Sequence, residues 1–586
     1  MFNALFTKTD EYARLAQALG GPGACALFGI PGSGRAMVYA ALAKALDKPL
    51  CIVTPGEAEA TRFAGDLNAL GVAAAVFPAR DYVLRPIEGT GREYEYRRLA
   101  VLGDLVGGRL QAVCVPDEGL TQYTTPRADF CANTRSLRPG DTLPRAELTA
   151  LLYGAGYTRR DQVDGPGQFS IRGDIADIYA PDMKQPARLE FWGDEIDTMH
   201  SFDLATQRRD EPIEKIYVSP AREVLFAQPA EAAALIRSCI KKARGKRRTA
   251  LEACTAADLA QLDGGAMPVD MDKYLTLRYP EPATLLDYFD DPLLILEEPA
   301  SLREAARATA YRRREEFSAL MEDGALAPGL DKLYTEAGWL WAQAAAHCTL
   351  CAENFARSMP DISLKAIVNA PAHTLPAWGG EVAALLEDIQ PLCSGGAAVT
   401  VMAGTPRAAA GLAADLRTKG LQVTTDAAAA GTAGLVQVLP GQLSAGCSLP
   451  FARYAVFTAR AFGVSSAQKK KKRSKDALNS LSEITIGDLV VHQSHGIGRY
   501  AGIQRMTVQG VQKDYLRIEY DKKDVLYVPV TQLDLLSRYT APGDSDNVKL
   551  SHLGGTDWAK TRKKVKAATE QMAKELIELY ARRKQA

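Results

Sequence analysis

A glycine-rich stretch near the N-terminus has the spacing of a phosphate-binding loop. It reads Gly29, Ile30, Pro31, Gly32, Ser33, Gly34, Arg35 and Ala36. In the working pattern, G-x-x-x-x-G-K-[ST], the lysine reaches the β- and γ-phosphates of a nucleotide and the hydroxyl ligates magnesium. Here Arg35 offers a planar fork in place of a compact ammonium, and Ala36 cannot bind a metal. The stretch therefore predicts a degenerate phosphate loop.

An acidic strand end supplies the second half of the predicted nucleotide site. The apolar run Leu293–Leu296 leads into Glu297 and Glu298, which are followed by Pro299 and Ala300. This stretch resembles the one in the excinuclease component UvrB where a strand ends in Asp-Glu-Ser-His, its Walker B motif. Glu297 stands at the Asp position and Glu298 is kept, whereas the Ser and His are replaced. The two losses together predict an inactive nucleotide site.

The elements around the loop predict a parallel sheet. Ala24–Phe28 and Leu50–Thr54 are short apolar strands, and an alanine- and leucine-rich helix lies between them. This strand–loop–helix–strand order is a βαβ unit. Val113–Val115 is predicted as a further buried strand. Farther along, Ala187–Trp192 alternates apolar and polar residues, which favours an inserted α+β domain.

The predicted fold class is multidomain α/β: a degenerate RecA-like parallel-sheet domain with an α+β insertion, a second small α/β domain, and a small Tudor- or CarD-like barrel followed by a helix. The predicted divisions are residues 1–120 and 216–349 for the first domain, 121–215 for the insertion, 350–460 for the small α/β domain, 461–482 for a basic linker, 483–548 for the barrel and 549–586 for the helix. Lys469–Arg473 in the linker is a solvated run or a contact with DNA phosphates. The basic, amphipathic terminal helix is a connector or a DNA-binding helix.

Composition is that of an ordinary globular protein. The 586 residues are too many for one core, so about three to five domains are expected. The 70 basic and 70 acidic residues balance, which argues against a general polyanion binder. The 10 cysteines are scattered, which favours the cytoplasm, and we expect no membrane span. Cys348 and Cys351 lack the further ligands of a zinc site, so we expect buried cysteines and no metal.

The predicted insertion carries a candidate docking surface. Gly156–Asp161 is followed by Gly167–Tyr179, and the pair resembles domain 2 of UvrB, where Tyr-x-Arg-Asn-Asp precedes Gly-x-Phe-x-x-Arg-Gly-Asp. The resemblance implies docking of the excinuclease component UvrA. Arginines beside an exposed aromatic residue are typical of an interface hot spot, and the candidate contact residues are Arg159, Phe169, Arg172 and Asp174. Alternatively, Phe169 belongs to the core and Arg172 pairs with Asp174 in a turn.

The last globular piece has the alternation of a small barrel of four or five strands. Leu516, Ile518 and Tyr520 share one predicted face. With the run Gly487–Ile503, this piece resembles the RNA-polymerase-interacting module of the bacterial transcription-repair coupling factors and of CarD-type regulators. The resemblance implies docking on the polymerase β subunit through a strand edge at Ile503–Val508. The candidate contact residues are Arg499, Ile503, Gln504, Arg505, Met506 and Thr507, with core packing of Met506 as the alternative.

The resemblance to the transcription-repair coupling factors spans essentially the whole chain. In that family a double-stranded-DNA translocase, which uses ATP and Mg²⁺, follows this portion; we find none here, so no cofactor and no catalytic residue are expected. The resemblance implies a monomeric adaptor that docks on stalled RNA polymerase and recruits UvrA, with DNA contact left to the translocase. The alternatives are a working ATPase or damage-verifying protein over residues 1–350, and a CarD-like transcription regulator.

Overall fold

The computed structural model describes most of the chain, with gaps concentrated after residue 459. The described residues are 2–82, 84, 92–204, 206–268, 271–426, 434–459, 486–492, 495–508, 511–521, 524–529, 536–538 and 550–551. The predicted basic linker 461–482 therefore lies outside the described residues, as does nearly all of the predicted terminal helix 549–586.

The first part of the chain builds a parallel sheet of seven strands. Its N-terminal elements are α1 (Phe2–Phe6), α2 (Asp10–Ala18), β1 (Gly23–Phe28), α3 (Gly32–Leu46), β2 (Leu50–Thr54), α4 (Glu57–Ala69), β3 (Ala74–Val76), α5 (Glu93–Val106), β4 (Ala112–Pro116), α6 (Asp117–Thr121) and α7 (Arg127–Ala132). After the insertion the chain adds β13 (Leu293–Glu297), α12 (Pro299–Glu322), α13 (Trp339–Ala346), β14 (Cys348–Glu353) and β15 (Leu364–Asn369). The strand order is β15-β1-β14-β13-β2-β4-β3, and every pairing is parallel.

Both faces of this sheet are covered, which explains the composition of its strands. Every residue of β2, β4 and β13 is buried. Along β2, Leu50 and Ile52 pack into one apolar cluster, while Cys51 packs into another on the opposite face. Parallel strands buried on both faces have continuous apolar sequences, and the three strands accordingly cover their predicted positions.

The paired cysteines of β14 are part of this packing. Cys348 belongs to the apolar cluster on one face of the sheet and Cys351 to the cluster on the other. Side chains three residues apart on a strand point to opposite faces, so the two thiols do not converge on one point. They are core residues of a buried strand.

The insertion is a separate α+β unit with its own core. Its elements are β5 (Arg135–Leu137), α8 (Arg145–Gly154), β6 (Thr158–Arg159), β7 (Gln168–Arg172), β8 (Ile175–Tyr179), β9 (Ala187–Trp192), β10 (Glu195–Phe202), β11 (Arg209–Pro212) and β12 (Ile216–Val218). Six strands form a sheet in the order β11-β10-β9-β8-β7-β6, and β5 pairs with β12 where the chain enters and leaves. The core of the insertion is an apolar cluster that includes Leu148, Phe169 and Leu189.

A helical segment and a buried ionic network join the insertion back to the first sheet. The helical elements are α9 (Pro229–Lys242), α10 (Gly245–Asp263), the 3-10 turns Met271–Tyr274 and Leu285–Tyr288, and α11 (Leu275–Arg278). The Arg98 guanidinium, with no exposed surface, donates to Glu223 (Nε–Oε1 2.6 Å) and to Gln122 (Nη1–Oε1 2.9 Å). Arg80 binds both oxygens of Asp272, at 2.8 and 3.0 Å. The network fixes the point at which the chain returns from the insertion.

The next unit is a second, smaller α/β sheet. Its elements are β16 (His373–Leu375), α14 (Val382–Ser394), β17 (Ala398–Met402), α15 (Pro406–Thr418), β18 (Val423–Thr424), β19 (Val436–Leu439), β20 (Gly446–Leu449), the 3-10 turn Pro450–Ala452 and β21 (Tyr454–Thr458). The strand order is β16-β20-β21-β17-β19-β18. This unit packs against the first domain, because Cys447 and Leu449 belong to the same apolar cluster as Met37 of α3.

The C-terminal unit is an antiparallel sheet of five strands. They are β22 (Leu489–His492), β23 (Gly496–Val508), β24 (Val511–Glu519), β25 (Val525–Pro529) and β26 (Leu536–Arg538), in the order β25-β24-β23-β22-β26. The predicted alternation is confirmed, since Leu516 and Ile518 are fully buried and Tyr520 nearly so.

The predicted fold class is confirmed, because the chain is a multidomain α/β protein with a large parallel sheet and a small β-rich unit at its C-terminal end. One division differs from the prediction. The large sheet continues past residue 349, since β14 and β15 both pair with β1, whereas we placed the start of the small α/β domain at residue 350. Among the described residues, no helix is long and apolar enough to cross a membrane.

Candidate functional site

The predicted phosphate loop joins β1 to the N-terminus of α3. Gly29 is the first residue after β1 and has φ +88°, a left-handed conformation that favours glycine. A side chain at Gly29 would also lie 3.1 to 3.2 Å from Asn369, Ala370 and Pro371. Pro31 precedes the first helical residue, Gly32, so the loop leads directly into the N-terminal turn of α3.

Arg35 forms a buried ion pair with two glutamates. Its guanidinium contacts Glu297 (Nη2–Oε2 3.2 Å) and Glu298 (Nη1–Oε1 2.7 Å), and its side chain is 5% exposed. Nη1 also donates to the carbonyl oxygen of Ala352 at 3.2 Å. The structure therefore brings together Arg35, Glu297 and Glu298, the residues that the sequence assigned to the two halves of one nucleotide site.

The ion pair forms part of a buried cluster. The Tyr39 hydroxyl donates a hydrogen bond to Glu297, whose side chain is almost completely buried. Burial is the largest single influence on Arg35 and disfavours its charge, but Glu297, Tyr39 and Glu298 together outweigh burial, so the pKa of Arg35 is raised. Burial raises the pKa of Glu297, and Arg35 opposes that shift. We infer a charged guanidinium whose charge is already balanced inside the protein.

Other parts of the chain approach the glycines of the loop closely. A side chain at Gly32 would meet the Arg62 guanidinium at 2.3 Å, and one at Gly34 would meet the Cys447 sulfur at 2.8 Å. Asp66 of α4 accepts hydrogen bonds from the backbone nitrogen (2.7 Å) and hydroxyl (2.6 Å) of Ser444. The small α/β unit thus packs against α3 and α4, the two helices next to the loop.

One predicted docking residue of the insertion is buried, and the prediction that Phe169 is an exposed anchor is wrong. Phe169 has no exposed surface and packs edge-to-face on Tyr153, with ring centroids 5.3 Å apart. It pairs with Ile178 across β7 and β8, on the face of the sheet that packs against α8. The alternative interpretation of Phe169 as a core residue is the correct one.

The other three predicted residues lie at the surface of the insertion. The Arg159 side chain is exposed and reaches the carbonyl oxygen of Ile171 at 3.4 Å. Arg172 and Asp174 flank the turn between β7 and β8, but they do not pair with each other. Arg172 binds the buried Asp177 at 2.9 Å, and Asp174 binds Arg145 of α8 at 2.5 Å.

An exposed tryptophan that the sequence analysis missed stands beside this turn. Trp192 ends β9 with 84% of its surface exposed, and the amide of the preceding Phe191 donates to the Asp174 carbonyl at 2.8 Å. The signal was available, because Leu189 and Phe191 are the inward residues of β9 and a strand alternates. Trp192 must then face outward. We name the surface formed by Arg159, Arg172, Asp174 and Trp192 the turn surface.

The predicted polymerase-contact strand has one paired edge and one free edge. Residues 499–508 of β23 pair with β24, whereas β22 pairs only with residues 496–499. Within the described residues, the second edge of β23 from Ile503 to Val508 has no strand partner. Ile503 is 49% exposed, and Gln504 and Arg499 are also exposed. The side chains of Arg505, Met506 and Thr507 lie outside the described residues.

An apolar pair flanks this free edge. Ile486 is 77% exposed and Ile503 49% exposed. A side chain at Gly502 would meet the Ile486 side chain at 3.3 Å, so the two isoleucines lie near the same stretch of β23. We name Ile486, Ile503 and the free edge of β23 the edge surface. An exposed apolar pair beside unpaired backbone is typical of a strand-addition site.

Comparison with known protein families places both surfaces in recognised domains. Residues 136–224 match the UvrB interaction domain, and residues 484–540 match the CarD-like/TRCF RID domain. The turn surface lies in the first and the edge surface in the second. The chain is therefore a multidomain protein that contains these two domains together with a large parallel α/β sheet.

The relatives are transcription-repair-coupling factors. The chain is 29% identical to the one from Bacillus subtilis (strain 168) over 572 residues, which cover 95% of this chain and 48% of that protein. It is 27% identical to the one from Staphylococcus haemolyticus over 86% of this chain and 44% of that protein. The one from Staphylococcus aureus (strain MRSA252) is 26% identical over 87% of this chain and 44% of that protein. The chain thus spans about half the length of these curated relatives.

We predict that Arg35→Met destabilises the fold by about 3–5 kcal/mol at pH 8, because it leaves Glu297 buried and unpaired. The deficit should shrink between pH 8 and pH 5. In the variant the folded-state pKa of Glu297 lies above its unfolded value, so the folded state takes up a proton first and gains stability as the pH falls. Urea unfolding of the whole chain at several pH values measures the effect.

The matched control is Arg248→Met. Arg248 pairs with Glu252 on the surface of α10 with both side chains about half exposed, so its loss should cost at most about 0.5 kcal/mol at either pH. Equal losses for the two variants, or a deficit of Arg35→Met that does not change with pH, would contradict the predicted role of the ion pair.

Proposed function

We propose that this chain is the adaptor portion of a transcription-repair coupling factor, which docks on RNA polymerase and recruits UvrA. The observation that carries the proposal is the presence of a UvrB interaction domain and a CarD-like/TRCF RID domain in one chain. Each domain presents an exposed surface with the features of a protein contact. The ATP-driven displacement of polymerase belongs to the proposed whole protein and not to the residues described above.

The turn surface is the proposed site for UvrA. Tryptophan and arginine are the residues that most often dominate binding energy at interfaces. Trp192 is almost fully exposed, and Arg172 is about half exposed while its guanidinium is held by the buried Asp177. A tethered arginine loses little side-chain entropy on binding, so it can contribute more of its interaction energy.

We predict that Trp192→Ala and Arg172→Glu each weaken the binding of purified UvrA by at least about tenfold, a cost expected of a hot-spot residue. Titration calorimetry with the whole chain measures the affinity, and urea unfolding checks that the fold is intact. Tyr217→Ala is the matched control, because Tyr217 is an aromatic residue of the same domain that is 43% exposed on another strand. Unchanged affinity in Trp192→Ala would remove the turn surface from the proposal.

The edge surface is the proposed site for the RNA polymerase β subunit. A free strand edge offers backbone donors and acceptors to a strand of the partner, and side chains beside it supply specificity. The edge from Ile503 to Val508 is the longest unpaired stretch of β23 within the described residues. Ile486 and Ile503 would then be covered by the partner.

We predict that Ile503→Asp lowers the affinity for the purified polymerase β subunit by at least about tenfold, because it places a charge in an apolar contact. Fold stability should hardly change, since Ile503 is half exposed. Arg517→Asp provides the comparison: Arg517 is partly exposed on β24, both of whose edges are paired. Biolayer interferometry with immobilised β subunit gives the affinities. An equal loss in both variants would indicate a general electrostatic effect and contradict the edge surface.

We also propose that the phosphate loop does not bind or turn over ATP. Arg35 is already paired with Glu297 and Glu298, and Ala36 offers no magnesium ligand. We predict no saturable binding of Mg-ATP to the whole chain up to about 1 mM, the upper end of common KM values, and no hydrolysis above background with or without DNA. The double variant Arg35→Lys, Ala36→Thr tests whether the two side chains alone block binding. DNA-stimulated hydrolysis by the natural sequence would overturn the adaptor proposal.

A further inference from the structure

A cleft of about 310 Å³ opens at the carboxyl ends of β2 and β4, separate from the phosphate loop. Pro55 follows β2, Pro116 is the last residue of β4, and Ala305 and Ala308 of α12 also line the cleft. The walls are therefore mostly apolar. The carboxyl ends of parallel strands are where open α/β sheets place their ligands, and this cleft has the size of a small-ligand site.

A buried carboxylate without a partner lines this cleft. Asp117 is 3% exposed, and its Oδ1 is buried with no hydrogen-bond partner. Within the described part of the chain, no lysine, arginine or histidine nitrogen forms an ion pair with it. Arg313 acts on Asp117 only through its charge: its guanidinium lies 3.6 Å from the Tyr334 ring centroid, its Nη2 donates to the Thr121 hydroxyl at 3.0 Å, and its buried Nε has no hydrogen-bond partner.

The other charges around the cleft are already paired at its rim. Glu57 contacts Arg97 at 3.6 Å, and Glu118 contacts Arg312 at 3.5 Å. Burial raises the pKa of Asp117 to about 6, while Arg313 opposes the shift and Glu118 adds to it. The carboxylate is thus mainly ionised at pH 7.5. A buried charge of this kind is stabilised by a cation that enters the cleft.

We propose that the cleft binds an alkylammonium group, with its charge at Asp117 and its aliphatic chain against Pro55, Pro116 and Ala308. Apolar walls with a carboxylate suit a charged group carried on a hydrocarbon stem. A divalent cation is not favoured, because no group of three or more histidine, cysteine, aspartate or glutamate residues among the described residues has the geometry to hold one. Both a lysine side chain of another protein and a free polyamine have this chemistry.

The first experiment uses n-pentylammonium as the probe and titration calorimetry of the whole chain at pH 7.5. We expect saturable binding, at least tenfold weaker binding of n-pentanol, and at least a tenfold loss in Asp117→Asn. Glu322→Gln is the matched control, because Glu322 is exposed at the far end of α12, and it should bind normally. Ala308→Phe, which fills the cleft from an exposed position and leaves Asp117 untouched, should also abolish binding.

A second experiment measures the pH dependence of pentylammonium binding. The affinity should fall about tenfold per pH unit below pH 6, because Asp117 takes up a proton. The other charged groups at the cleft are Glu57, Glu118, Arg97, Arg312 and Arg313.

A third experiment identifies the source of the ligand. Tighter binding of N-acetyl-lysine methylamide than of spermidine would indicate a protein side chain, and tighter binding of spermidine would indicate a polyamine. Absence of pentylammonium binding, or equal binding in Asp117→Asn and the natural sequence, would overturn the proposal whatever the partners of the two docking surfaces are.

Discussion

A buried guanidinium has to be paired, and the ion pairs of Arg35 connect the main elements of the first domain. Leaving one member of such a pair alone in the interior costs several kcal/mol. Arg35 therefore holds the N-terminal turn of α3 against the ends of β13 and β14, through Glu297, Glu298 and the Ala352 carbonyl. A nucleotide would have to compete with these contacts for the same side chains. The strands of the sheet are buried on both faces, so their packing does not depend on a ligand at the loop.

A second buried ionic network anchors the insertion to the first domain. Arg98 and Arg80 share the carboxylate of Glu223, at 2.6 and 3.3 Å, and Glu223 lies just after the insertion ends. Burial makes the network costly to break, because loss of Glu223 would take a buried carboxylate from both guanidiniums. The insertion is therefore anchored at its base, where β5 also pairs with β12. A docking surface on an anchored domain loses less conformational freedom on binding than one on a flexible tether.

The sequence predicted the strands better than the surfaces. Leu50–Thr54 is a strand at its predicted bounds, and Leu293–Leu296 lies within β13, because a run of apolar residues buried on both faces leaves few alternatives. Arg35 and Glu297 are more than 250 positions apart in the sequence. Residue spacing alone therefore did not predict that the Arg35 guanidinium would form an ion pair with Glu297. Phe169 was misjudged because its motif resembles a contact site, whereas strand alternation places it in the core. Trp192 shows the reverse error, since alternation exposes it and no motif drew attention to it. Periodicity reports which face a residue occupies, but not whether that face meets a partner.

The two proposed docking surfaces differ in the groups that they offer to a partner. The turn surface presents side chains from the ends of three strands and from the turn between β7 and β8, so its specificity lies in residue identity. The edge surface presents backbone groups, which any extended chain can pair with, and an unprotected edge invites aggregation. The register of β23 against β24 shifts between Tyr500 and Ile503, next to Gly502 with φ +107°. Such a shift increases the local twist and can end the pairing with a neighbouring strand. It accounts for the end of the β22–β23 pairing at Arg499 of β23. The free edge is thus limited to a short, twisted stretch, and Ile486 and Ile503 restrict it to a partner that can cover them.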